Sequence, residues 1–236
     1  MKYLIKELMD EGILKTPSII GAFEKVDRKD FVPEELKYKA YLNTPLPIGY
    51  GQTISQPLTV AFMLELLQPQ AGDKVLEVGS GSGWQTALLA CIVSSNRPAT
   101  QATDLPRLKI LNVAGRLQSR SIADDGKVIA VELISELMDF GRKNAAKYGF
   151  IKKGTVEFHS FNATKGMPEE APFDRIISAA SGHDLPEAWK EQLKIGGRIV
   201  APIKDAIHLL VKEGENEFEE TVYPGFAFVP LINLNE

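Results

Sequence analysis

Three stretches of this chain put chemistry-bearing residues where a fold can use them. In LEVGSGSGW (76–84), Gly79, Gly81 and Gly83 stand at alternate positions between a short apolar run and a helix-like one. Glycines at such a junction let the backbone turn sharply and approach a ligand with no Cβ in the way. The spacing is not the dinucleotide fingerprint G-x-G-x-x-G, because Trp84 stands where its third glycine would fall. No Gly-Lys-Ser/Thr follows either, which excludes a P-loop. Glu77 would repel phosphates at this turn but suits a cationic ligand such as an amino-acid ammonium group, and Ser80 lies within the turn itself. Further on, Glu132 lies near the end of the apolar run KVIAVEL (127–133), where a doubly wound fold presents a carboxylate to ribose hydroxyls. The third stretch, GYGQTISQP (49–57), has two glycines, Thr53, Ser55 and Pro57, but no strong acid, base or metal ligand. Ser55 also stands where a serine can cap the helix expected after Pro57.

The elements that must position these residues alternate. The pattern predicts a helix over 58–67, a strand over 74–79 and a helix over 84–93. A strand over 127–133, a helix over 135–149 and a strand over 156–160 follow. A strand over 175–180, a helix over 185–193 and a strand over 197–203 complete the series. Strand–helix alternation with short connections means an α/β fold with a doubly wound, mostly parallel sheet. Residues 1–40 read as an N-terminal helical segment, with apolar spacing over 4–9 and a second segment over about 18–26, and the Pro-, Gly- and aromatic-rich stretch 27–57 reads as a covering loop rather than strand or helix interior. Residues 204–236 read as a β-rich C-terminal tail. We read one domain, with 1–57 covering a core of 58–203. That core holds an insertion at about 94–124, far longer than the usual connection of about 4–6 residues; it reads as a surface excursion, with a lid or oligomer contact as the alternative. If it loops out, it also accounts for the distance between the glycines and Glu132, which is larger than the usual ~20 residues.

The bulk properties are those of an ordinary globular chain of 236 residues, 25% charged, with formal net charge -4. Basic residues are interspersed with acids, so neither nucleic acid nor an anionic membrane is expected as a partner. The N-terminus has no signal-peptide or membrane-span pattern. The single cysteine, Cys91, rules out a disulfide within the chain and suits a reducing compartment. We expect a cytoplasmic monomer.

Together LEVGSGSGW and VEL resemble the class I S-adenosylmethionine-dependent methyltransferases. GYGQTISQP, MPEEAPFDRIISAA, LKIGGRIVAPI and FAFVPLI narrow the resemblance to the protein-L-isoaspartate O-methyltransferases, over about residues 20–232 apart from the insertion. The resemblance implies a repair enzyme. It would transfer a methyl group from S-adenosyl-L-methionine to the free α-carboxylate of L-isoaspartyl residues in damaged proteins and peptides. It assigns Ser55 as the active-site serine and places Thr53 and Ile54 beside the methionine part of the cofactor. It gives the turn 79–83 to cofactor binding, Glu132 to the ribose, and Asn162 with Ala163 to the adenine. The weakly polar loop then makes chemical sense. A carboxylate with pKa near 4 needs no base at pH 7, and a sulfonium needs no acid to give up its methyl. What remains is alignment, worth roughly 7–11 kcal/mol in favourable systems.

Two departures stand out. Asn162 replaces the family's usual aspartate, a weaker, neutral acceptor for the adenine amino group, and Leu58 stands where many members have histidine. His159, His183 and His208 have no metal-ligand spacing; His183, after the strand ending near 180, is a candidate substrate contact. Trp189, Phe140 and Cys91 read as core. Asp125-Gly126 is a dipeptide prone to isoaspartate formation, which raises self-repair at that bond. Methyl transfer to a different acceptor, or cofactor binding without catalysis, are the competing readings.

Overall fold

The computed structural model describes residues 1–94 and 126–231. The apolar runs read as strands form one seven-stranded sheet. Its strands are β3 (Lys74–Val78), β4 (Lys127–Glu132), β5 (Val156–Ser160), β6 (Phe173–Ser178), β7 (Leu193–Ile203), β8 (Ala206–Lys212) and β9 (Phe218–Pro224). They lie in the order β5-β4-β3-β6-β7-β8-β9. Neighbours are parallel from β5 through β7, and β7–β8 and β8–β9 are antiparallel. This is the mostly parallel, Rossmann-like sheet that the alternation predicted.

Burial on both faces explains why the central strands read as continuous apolar runs rather than alternating ones. Val75, Val128, Ile177 and Val200 pack under the helices α1 (Lys2–Asp10), α2 (Pro17–Lys25), α3 (Pro57–Leu67), α4 (Trp84–Val93) and α5 (Ser135–Ala146). Their neighbours Leu76, Ile129, Ile176 and Ile199 face the other side, against Trp189 and Met167. That side carries α6 (Glu187–Glu191) and a 3-10 turn at Ala163–Lys165. Trp189 and Cys91 are buried, and Phe140 is partly buried against the core, as expected.

The strand order places the site. The chain runs outward from β3 to β4 and β5, then returns to add β6 on the other side of β3. Ligands in open α/β sheets bind outside the carboxyl ends of strands at such a reversal. Gly79 follows β3, Ala179 follows β6, and Glu132 ends β4.

Three expectations need correction. The segment 27–57 is not only loop: it holds 3-10 turns at Arg28–Phe31 and Glu34–Lys39, and β1 (Leu46–Gly49) and β2 (Gln52–Ile54) form an antiparallel hairpin. Leu46 and Ile48 point inward while Pro47 and Gly49 face solvent, and a proline is tolerated on such an edge. Gly49, Tyr50 and Gly51 all have positive φ (93°, 54° and 70°), which closes the hairpin. The helix over 185–193 shrinks to Glu187–Glu191, because the Gln192 carbonyl accepts the Phe173 amide at 2.8 Å and draws the chain into β7. Ser55 does not cap α3. Gln56 occupies the cap without a side-chain bond, and the Leu58 amide instead donates to Asn43 Oδ1 at 3.0 Å. Residues 95–125, holding nearly all of the expected insertion and Asp125, lie outside the described residues.

Candidate active site

A cavity of about 340 Å³ opens at the strand reversal, within the range usual for small-molecule sites. The glycine turn forms its floor. Gly79 and Ser80 donate to the Val131 carbonyl at 2.8 and 3.2 Å, which ties the turn to β4. Glu132 completes the tie: Oε2 accepts the Gly81 amide at 2.9 Å, and Oε1 accepts those of Leu133 (2.9 Å) and Ile134 (3.1 Å). With three backbone donors held, the carboxylate keeps acceptor capacity toward the cavity.

From below, α5 presses on the same turn. A Cβ on Gly83 would stand 2.6 Å from the Gly141 carbonyl oxygen, and one on Gly141 would stand 2.7 Å from that of Gly81. Asn144 Nδ2 donates to the Ser82 carbonyl at 3.1 Å. Glycine in mid-helix costs helix stability, and here it admits the cofactor-type turn at backbone contact.

Of the residues singled out from sequence, Thr53, Ile54, Ser55, Gly79, Ser80, Gly81, Glu132, Asn162 and Ala163 all line this cavity. Gly83 and Glu77 are not among the lining residues. Gly83, with φ 81°, begins α4 as its N-cap. Glu77 is fully buried behind the turn, where Gln85 Nε2 donates to Oε1 at 3.2 Å. Burial pushes its carboxyl up to about 8, against the pull of neighbouring Thr86 and Gln85. Its Oε2 and the Ser80 hydroxyl have no hydrogen-bond partner among the described residues. Asn162 caps the 3-10 turn through Oδ1, which accepts the Thr164 amide at 3.0 Å, so one of its two lone pairs is already engaged.

His183 lies outside the cavity, exposed and 2.7 Å from Asp184. His159 faces Glu157 at 3.7 Å and His208 faces Glu220 at 2.6 Å. Among the described residues no cluster of His, Cys, Asp or Glu can hold a metal ion.

Sequence reasoning missed several residues. Ala227–Leu231 form a wall of the cavity, pinned where the Ser181 amide donates to the Val229 carbonyl and the Leu231 amide to that of Ser181, both at 2.8 Å. The run FAFVPLI after Gly225 carried that signal. Gly141 was visible only as a glycine inside a helical pattern. Arg28 left no signal: it is fully buried, with its guanidinium donating to the carbonyls of Ala40, Leu42, Thr44 and Ser55.

Comparison with known proteins decides the family. The family model for protein-L-isoaspartate(D-aspartate) O-methyltransferase matches residues 1–114 and 113–236. The chain belongs to that family. It is 40% identical to the protein-L-isoaspartate O-methyltransferase of Methanopyrus kandleri over 233 residues, covering 97% of this chain and 89% of that protein. It is 39% identical over 232 residues to the one from Dictyoglomus thermophilum, with the same coverages. A Plasmodium falciparum structure, described as a protein-L-isoaspartate O-methyltransferase in complex with S-adenosyl-L-homocysteine, shares the fold. Its TM-score is 0.76 at 23% identity, covering 98% of this chain and 97% of that one.

Proposed function

We propose that this protein transfers a methyl group from S-adenosyl-L-methionine to the free α-carboxylate of L-isoaspartyl residues in damaged proteins and peptides. The observation that carries the reading is the meeting of Ser55, the turn Gly79–Gly81 and Glu132 around one cavity at the strand reversal. Family membership supplies the reaction class, and the lining suits the cofactor. The turn offers backbone close approach, and Glu132 offers acceptor capacity to ribose hydroxyls. Thr53 and Ile54 lie along the covering side, while Asn162 and Ala163 stand at the end of β5, where an adenine would lie. The bound cofactor supplies an activated methyl group on a sulfonium.

The chain's own task is to orient the acceptor. An isoaspartyl carboxylate is ionised at neutral pH, so no group on the cavity has to remove a proton. The Ser55 hydroxyl can hold that carboxylate by a hydrogen bond without the tight charge pairing of an Arg or Lys, which would blunt the nucleophile. Asn43 caps α3, which leaves the Ser55 hydroxyl uncommitted to the helix. Glu77 serves the turn from behind. Burial raises its carboxyl pKa and keeps it off the cavity lining, so it does not face a cationic group directly.

The same reading covers setting and partners: a monomer in the cytoplasm acting on proteins and peptides, without nucleic acid or membrane. The acidic balance and single cysteine support it, and among the described residues no helix is long and apolar enough to cross a membrane.

The test is methyl transfer from labelled S-adenosylmethionine to a short isoaspartyl peptide, with its normal aspartyl twin as control. Label on the isoaspartyl peptide alone is the expected result. Label on neither, with measurable cofactor binding, would assign the cavity to another acceptor.

A further inference from the structure

Arg28 is fully buried, and among the described residues no carboxylate pairs with its guanidinium. Such a cation pays heavily for leaving water unless its protons are met. Here four carbonyls, all from the segment that covers the cavity, meet four of its five N–H protons, and the buried Nε–H has no partner among the described residues. Nη1 donates to Ala40 at 2.8 Å and Leu42 at 3.3 Å; Nη2 donates to Thr44 at 3.0 Å and Ser55 at 3.1 Å. The guanidinium carbon also stands 5.3 Å from the centroid of the Trp84 ring, and Trp84 opens α4 directly after the glycine turn. One planar group therefore touches both halves of the site: the covering segment through its carbonyls, the cofactor side through an aromatic face. A guanidinium presents its donors in a fixed fork, whereas an ammonium is a compact charge with rotatable donors.

We propose that Arg28 is a positioning residue for methyl transfer, latching the Ser55 carbonyl, and with it the direction of the Ser55 hydroxyl, against the helix that follows the cofactor turn. Burial holds its pKa down to about 10, yet the side chain stays charged at neutral pH, so the latch is permanent rather than switchable. The inference rests on the reading of Ser55 as the residue that orients the acceptor, and the experiment separates the two.

Arg28→Lys keeps the charge and loses the fork. Ser55→Ala and the double variant complete a cycle, with every rate normalised to the fraction of protein that binds S-adenosylhomocysteine. Arg28→Lys is expected to bind S-adenosylhomocysteine within about twofold of the parent, because the turn is untouched. Its kcat on isoaspartyl peptide should fall about tenfold or more, as misplacement by a fraction of an ångström can do. The double variant should be no slower than Ser55→Ala alone, since Arg28 acts through Ser55. An unchanged kcat per binding-competent enzyme, or losses that simply multiply, would overturn the latch. If Ser55→Ala itself leaves kcat intact, the Ser55 reading fails instead. Should Arg28→Lys not fold, Arg28→Ala with millimolar ethylguanidinium replaces it: restored kcat supports the latch, and restored cofactor binding without restored kcat refutes it.

Discussion

Replacing Gly141 by alanine should damage a site that Gly141 never touches as a ligand contact. In an unconstrained helix interior this change is favourable by about 1 kcal/mol. Gly141 is buried on α5, and its added Cβ would stand 2.7 Å from the Gly81 carbonyl oxygen, 3.1 Å from the Gly83 nitrogen and 3.3 Å from the Ser82 carbonyl carbon. Ordinary contact begins near 3.4 Å, so α5 and the turn must separate by about 0.7 Å. All three neighbours are backbone, and none can swing aside. Overpacking of this kind costs about 1–3 kcal/mol, enough to cancel the helix gain and leave the fold up to about 2 kcal/mol less stable. The turn pays twice, because separation also stretches the 3.1 Å bond from Asn144 to Ser82. We expect the dissociation constant for S-adenosylhomocysteine, read by titration calorimetry, to rise about tenfold, equivalent to about 1.4 kcal/mol. Gly21 supplies the control: it sits in α2, and a Cβ there meets nothing within 4 Å. Gly21→Ala should raise stability in urea by about 0.5–1 kcal/mol with cofactor affinity unchanged. A Gly141→Ala protein that is stabilised like Gly21→Ala, and binds S-adenosylhomocysteine equally well, would refute the claim that α5 holds the turn.

Two further outcomes follow from the same geometry. Glu77 has a folded pKa of about 8 against 4.5 as its ordinary value, so the native state keeps a proton that the unfolded chain has lost. Its contribution to stability is therefore full below about pH 4.5 and is lost as pH rises toward 8, by an amount on the order of a few kcal/mol. Glu77→Gln removes that slope, and the excess of its Tm over the parent's should grow from pH 5 to pH 8; a gap independent of pH contradicts the assignment. Asn162→Asp places a charged acceptor at the cap of the 3-10 turn and should tighten S-adenosylhomocysteine binding several-fold. An unchanged dissociation constant would show that this position does not meet the adenine amino group.

The parts of the fold that were legible in the sequence are those in which one period dominates. The runs KVLEV and KVIAVE are buried on both faces beyond their first lysine, so nothing competes with the strand signal, whereas the strand expected over 175–180 spans Phe173–Ser178, its start masked by the partly exposed Asp174 and Arg175. The glycine turn was legible because three glycines in alternation at a strand end have few other uses, and Glu132 because it ends the neighbouring strand. Long-range contacts were not legible. The β1–β2 hairpin is held by two inward residues, Leu46 and Ile48, in a stretch whose prolines and glycines read as loop. The cap on α3 comes from Asn43, 15 residues away, and no local pattern announces it. Arg28 looked like one more charged residue in DRKD; its role depends on four carbonyls spread from Ala40 to Ser55. Glu77, read as a carboxylate facing a cationic ligand, is instead buried behind the turn against Gln85, a placement no local pattern announces.

The central claim is that Ser55 orients an already ionised carboxylate and that the chain needs no base. Its most direct test is the single-turnover rate of methyl transfer to an isoaspartyl peptide, with parent and Ser55→Ala proteins saturated with S-adenosylmethionine. The account predicts that the rate falls about tenfold or more, while the dissociation constant for S-adenosylhomocysteine stays within about twofold. A Ser55→Ala protein that transfers the methyl group as fast as the parent would contradict it.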